Sequence, residues 1–202
     1  MHLISIDFAC RSSVINSLEN FRPKGEIVAF FYCDFRNEQS TSAVDAMRSL
    51  LSQVLRQFHD GATGLGDLLH DLVKAKERGG ATRNSAKKLA EFATRAARLS
   101  TRQPLVVVDA LDECEDIETL LKALVVLGEH ARLFVTSRPL QVIKDGISGL
   151  PFISMDDMGQ ELSADIELHV TRELDARRRL RKLDVGFKSQ IRSDLCRKAD
   201  GM

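Results

Sequence analysis

The four cysteines, Cys10, Cys33, Cys114 and Cys196, stand far apart, with no C-x-x-C pair and no histidine at zinc-ligand spacing. This argues against a structural zinc site or a disulfide framework, and a reducing, cytoplasmic setting suits the thiols. Net charge is equally lacking. The 29 basic residues are balanced by 29 acidic ones, which argues against a nucleic-acid or membrane-surface partner. No stretch approaches the ~18 apolar residues of a membrane span. The opening MHLISIDFAC holds a short apolar run, but it has no basic leader and Asp7 interrupts it, unlike a secretory signal. No internal repeat or low-complexity linker is visible. His2, His59, His70, His130 and His169 are scattered and suggest no catalytic dyad.

What the chain does have is enough apolar residue for a core, 44% over 202 residues, the size of one α/β domain with the beginning of a second. Short continuous runs of β-branched and aromatic residues mark strands buried on both faces. Four such runs occur: Ile27 to Tyr32, Leu105 to Asp109, Arg132 to Thr136 and Leu150 to Ser154. Helical spacing fills the intervals, at about Thr41 to Phe58, Leu68 to Lys76, Ser85 to Leu99 and Ile117 to Leu127. Alternating strands and helices predict an α/β fold, a parallel sheet with flanking helices, over residues 1–157. From residue 158 the composition shifts to a charged helix, Ser163 to Leu183, read as the start of a helical subdomain. The closing KADGM reads as cut off, since Asp-Gly suits a turn with chain behind it.

The segment LVVVDALDECED delivers Asp109 to the carboxyl end of a strand, with Asp112 and Glu113 in the loop that follows. Ligands of open α/β sheets bind outside the carboxyl ends of the strands. Asp109 suits a magnesium ion, directly or through water, because that ion prefers oxygen ligands. Glu113 suits the orienting or deprotonation of an attacking water. The plainer alternative is that the three carboxylates end a strand and cap the next helix. The run RLFVTSRP places Thr136, Ser137 and Arg138 at a second strand end, where a guanidinium could reach a terminal phosphate. An ordinary surface arginine before a turn-making proline is the alternative there.

The pairing of VVVDALDEC with LFVTSRP, preceded by FFYCDFRNEQSTSAVDAMRSLLSQVLRQ and followed by DI-x-x-HV and KADGM, resembles the NACHT modules of STAND-class P-loop NTPases. The likeness is to the fungal, nephrocystin-like N-terminal type and runs from about Ser12 to Met202. It implies a nucleotide-binding signal-transduction module, switched by ATP or GTP with Mg²⁺, working beside other protein domains or repeats of a larger architecture. It implies that Asp109 binds metal and nucleotide as the Walker B aspartate, that Asp112 and Glu113 are the catalytic acidic pair, and that Arg138 is a sensor beside the γ-phosphate.

The family's phosphate loop, G-x-x-x-x-G-K-[ST], would stand immediately before SSVINSL. There the residues are MHLISIDFACR, without glycine or lysine. The chain therefore reads as beginning just downstream of that loop, which implies weak or no nucleotide binding and no hydrolysis. It leaves a nucleotide-independent interaction module or an inactive fragment as the alternative. It also predicts a gap in the sheet between the RLFVT and LPFIS strands, unless His2 to Ile6 supplies a replacement. Two further features have plain readings. Gly61, Gly64 and Gly66 follow a helix and have no lysine, as in an interhelix loop. The basic run Arg177 to Lys182 sits near Glu167, Glu173 and Asp175, as on a solvated helix face.

Overall fold

The longest apolar runs form the centre of a parallel sheet in the computed structural model, which describes residues 2–4, 25–36, 41–58, 62–77 and 85–199. Strand β2 (Val28–Tyr32) pairs with β3 (Leu105–Asp109), which pairs with β4 (Arg132–Val135), all in parallel. Val106, Val107 and Val108 are all buried, as expected of a strand covered on both faces. Two short strands complete the sheet, β1 (His2–Ile4) and β5 (Phe152–Ile153), in the order β2-β3-β4-β1-β5. The expected gap is thus filled by the replacement, with Leu3 in register with Val135 on one side and Phe152 on the other. Strand β5 is shorter than its apolar run suggests. Pro151, which has no N–H to give a ladder, precedes it.

Helix α1 (Ala43–Arg56) turns Ala43, Ala46, Met47, Leu50, Leu51 and Val54 inward. Its start is fixed by Ser42, whose hydroxyl accepts from the Asp45 N–H at 3.1 Å and donates to the Asp45 carboxylate at 2.6 Å. Helix α2 (Leu65–Glu77) follows Gly64, whose φ of +83° a side chain would strain; Gly66 lies within the helix. The interhelix reading of this glycine-rich stretch thus holds for Gly64 but not for Gly66, and Gly61 lies outside the described residues. Helix α3 (Ala86–Leu99) presents alanines, Ala86, Ala90, Ala93, Ala96 and Ala97, and packs against α1 and α4 (Ile117–Gly128). A six-residue helix, α5 (Gln141–Gly146), lies between β4 and β5 and packs on α4.

The chain divides into two compact units, Met1–Ile153 and Ser154–Met202. The second is helical, with α6 (Gly159–Ala176) packed against α7 (Val185–Ala199). Lys188 pairs with Asp175 at 2.9 Å and Arg192 with Glu167 at 3.6 Å. The basic run is not on a helix face as expected. Helix α6 ends at Ala176, Arg177 caps it and pairs back to Glu173 at 2.6 Å, and Leu180–Lys182 form a single 3₁₀ turn before α7. No helix among the described residues is long and apolar enough to cross a membrane.

Candidate functional site

The strand order sets where a site can form. From β1 the chain crosses to β2 at one margin, then steps back through β3 to β4, and from β4 it passes β1 to reach β5. The connection that leaves β1 therefore runs one way along the sheet and the one that leaves its neighbour β4 runs the other, and the carboxyl ends of such a pair border the kind of crevice in which open α/β sheets bind ligands.

Asp109, the last residue of β3, is buried and accepts a hydrogen bond from the Thr136 hydroxyl, one residue beyond β4. The same hydroxyl oxygen accepts from the Ala110 N–H at 3.0 Å. Two main-chain bonds brace the strand end, Leu111 N–H to Thr136 O at 2.9 Å and Cys33 N–H to Asp109 O at 3.0 Å. Ala110 turns the chain out of the strand with φ 55° and ψ 49°, the one non-glycine residue at positive φ among those described. A single 3₁₀ turn, Leu111–Glu113, follows. Glu115 N–H then donates to Thr41 O at 2.9 Å, tying this loop to the start of α1.

Asp112 is turned to the second strand end. Its Oδ1 accepts from the Arg138 N–H at 3.0 Å and the Ser137 hydroxyl at 3.3 Å, and its Oδ2 lies 3.4 Å from Arg138 Nε. The Asp112 side chain is 8% exposed and that of Arg138 78%, so the carboxylate is built into the loop while the guanidinium reaches solvent. Glu113 is half-buried. In the turn after β2, the hydrogen bond to Asp34 and then the charge of Asp34 raise the pKa of Arg36, with a smaller contribution from the charge of Glu113. Of the residues picked from sequence, Asp109, Asp112 and Arg138 thus sit at two adjacent strand ends, Asp112 against Arg138, and Glu113 follows Asp112 in the same 3₁₀ turn. Among the described residues, no group of three or more histidines, cysteines or carboxylates is arranged to hold a metal ion.

Sequence reasoning missed three residues near the site. Arg36 stands four residues beyond the end of β2 and was given no role of its own. Cys33 and Cys114, treated as dispersed, hydrogen-bond to each other and are both buried. Their mutual hydrogen bond and then burial push the Cys33 thiol far above its ordinary range, while the same bond lowers that of Cys114. Each follows the carboxyl end of one of two neighbouring strands, a signal that becomes legible only once β2 and β3 are known to pair.

No curated protein matches the chain. The sequence profile described as nephrocystin 3, N-terminal, matches residues 9–138, more than half of the chain, from downstream of β1 to Arg138 in the cluster. On that match, the chain belongs to the nephrocystin 3 N-terminal family.

Proposed function

We propose that the chain is a signal-transduction module of the NACHT type, in the STAND class of P-loop NTPases, that retains the acidic half of a nucleotide site without the half that encloses the phosphates. The observation that carries this reading is the placement of Asp109, Asp112 and Arg138 at the carboxyl ends of β3 and β4, with Glu113 in the same 3₁₀ turn as Asp112, beside the point where the connections of β4 and β1 leave in opposite directions. In such a module ATP or GTP with Mg²⁺ holds one of two arrangements and hydrolysis resets it. The donor chemistry fits magnesium in part. Asp109 supplies a carboxylate for an ion that usually keeps several waters and takes others of its ligands from phosphate, and Glu113 is the residue suited to orient a water. When bound, the ion would neutralise phosphate charge.

The described residues do not fit the triphosphate. Arg138 is a cation at the cluster, but Asp112 already pairs with it, and residues 1–11 contain neither lysine nor glycine. Hydrogen bonds to charged groups contribute roughly 1.5–3 kcal/mol each, so losing an ammonium and one further donor costs about 3–6 kcal/mol. That is a hundredfold or more in affinity at about 1.4 kcal/mol per tenfold. The Asp112–Arg138 pairing favours a second reading, a nucleotide-independent module that works by contact with other protein domains or repeats. Free thiols at Cys33, Cys114 and Cys196 suit a cytoplasmic setting for either.

Titration calorimetry with ATP and GTP, with and without Mg²⁺, tests the proposal. The expected result is no measurable binding at micromolar nucleotide and no hydrolysis above background, unchanged in Asp109→Asn. Micromolar, magnesium-dependent binding that Asp109→Asn abolishes would overturn the claim that the phosphate-holding half is missing.

A further inference from the structure

Among the described residues, strand β2 forms one margin of the sheet, with β3 on one side only. In a parallel ladder the N–H and C=O of one residue point the same way, and alternate residues point to opposite sides. Leu105 N–H donates to Ile27 O at 2.9 Å, so Ile27, and with it Ala29 and Phe31, faces β3. Val28 and Phe30 therefore turn their main-chain groups outward. An exposed row of this kind is a template for a strand from another molecule. The sequence here, IVAFFY, is uncharged and rich in strand formers, the composition that pairs most readily.

In this chain the groups of Val28 and Phe30 are already met by side chains of α1 and of Gln57, the residue that caps its end. Gln53 Nε2 donates to Phe30 O at 2.7 Å, and Phe30 N–H donates to Gln53 Oε1 at 3.0 Å. One helical turn on, Gln57 Nε2 donates to Val28 O at 2.7 Å, and Val28 N–H donates to Gln57 Oε1 at 3.2 Å. Each primary amide thus gives one bond and takes one, as a residue of a neighbouring strand would. The periods agree. Residues four apart on a helix are separated by about 6 Å along its axis, and residues two apart on a strand by about 6.6 Å, so successive glutamines meet successive outward residues. The amides are held in turn, Gln53 Nε2 by Ser49 Oγ at 3.1 Å and Gln57 Nε2 by Gln53 O at 3.0 Å. Glutamate would set a second acceptor against each carbonyl, and an aliphatic side chain would leave both main-chain groups unmet.

We propose that Gln53 and Gln57 are an edge latch, which ends the sheet at β2 and keeps that strand from pairing with the β2 of a second copy of the chain. Residue-resolved hydrogen exchange of the whole chain, with sedimentation across a range of concentrations, tests it. In the wild type the Val28 and Phe30 amides exchange as slowly as those of Ala29 and Phe31, and the chain stays monomeric. In Gln53→Ala/Gln57→Ala, Val28 and Phe30 exchange at least about tenfold faster while Ala29 and Phe31 keep their protection. That variant self-associates as concentration rises, and Val28 and Phe30 regain protection in the associated form. Should alanine unfold the chain, Gln53→Met/Gln57→Met keeps side-chain length without the amides and serves in its place. Val28 and Phe30 exchanging like unprotected amides in the wild type, or a folded variant that stays monomeric throughout, overturns the proposal.

Discussion

The Thr136 hydroxyl donates to the buried carboxylate of Asp109 and accepts from the N–H of Ala110, so one side chain just beyond β4 fixes both the end of β3 and the turn that leaves it. Valine has the same shape without the oxygen. Thr136→Val removes both bonds inside a buried site and is expected to cost about 2–4 kcal/mol. Thr136→Ser keeps the hydroxyl and is expected to lose less than half of that. Urea denaturation of the two variants checks the ordering, and equal losses would mean that the methyl group, not the hydroxyl, carries the effect.

Asp112 and Arg138 differ in what they contribute to the fold. The Arg138 guanidinium is mostly in solvent, and exposed ion pairs contribute roughly 0–1 kcal/mol, so Arg138→Ala is expected to leave the denaturation midpoint nearly unchanged. The Asp112 carboxylate instead receives the Arg138 main-chain N–H and the Ser137 hydroxyl. Asp112→Ala is expected to cost about 1–3 kcal/mol through those donors. Equal and small effects for both would show that the loop does not need the carboxylate.

The strands that build the cluster were readable because each is a continuous apolar run stopped by a polar residue, Asp109 in one case and Thr136 in the other. Their parallel direction followed from alternation with helices. Other features depend on tertiary placement. Asp112 reads in sequence as part of a catalytic acidic pair, yet its oxygens face Arg138 and Ser137, partners twenty-five and more residues away in the chain. Helix α5 is too short to show a period, and α7 leaves Val185, Phe187 and Leu195 exposed, so its apolar residues trace no clear stripe. Arg177 continues a charged pattern past the point where its own φ and ψ, −76° and 120°, have left the helix. His2–Ile4 was legible only as an option, since three residues carry little propensity and the neighbours β4 and β5 give the strand its place.

Ala110 pays a conformational cost at a turn that needs φ 55°. A left-handed conformation costs a non-glycine residue roughly 1–2 kcal/mol. Glycine relieves that strain but has more freedom to lose on folding, at roughly 0.5–1 kcal/mol. Ala110→Gly is therefore expected to be neutral or to stabilise by up to about 1 kcal/mol. Ala110→Val, branched at Cβ and buried, is expected to destabilise by more than about 2 kcal/mol. Thermal denaturation of the pair checks this, and a clear loss on substitution by glycine would show that the Ala110 methyl contributes packing that outweighs the strain.

The Cys33–Cys114 pair gives stability a pH dependence whose sign can be worked out. Both thiols have an ordinary pKa of 9.0; in the folded chain that of Cys33 is raised, first by its hydrogen bond to Cys114 and then by burial, and that of Cys114 is lowered by the same bond. The two titrate together, so the folded pair gives up one proton at or somewhat below the usual pH and keeps the other well above it. Between the lowered pKa of Cys114 and pH 9 the unfolded chain holds more protons, and stability rises slightly. Above pH 9 the unfolded chain has lost both protons while the folded chain still holds one. Stability then falls as pH rises, by about 1.4 kcal/mol per pH unit for one proton. Cys33→Ala removes the raised group and the bond that lowers its partner, so the variant is expected to lack this component of the fall. Urea midpoints measured from about pH 7 to about pH 10.5 for wild type and Cys33→Ala isolate it from the tyrosine and lysines that titrate in both chains. Parallel curves for the two proteins above pH 9 would show that Cys33 does not hold its proton in the folded state.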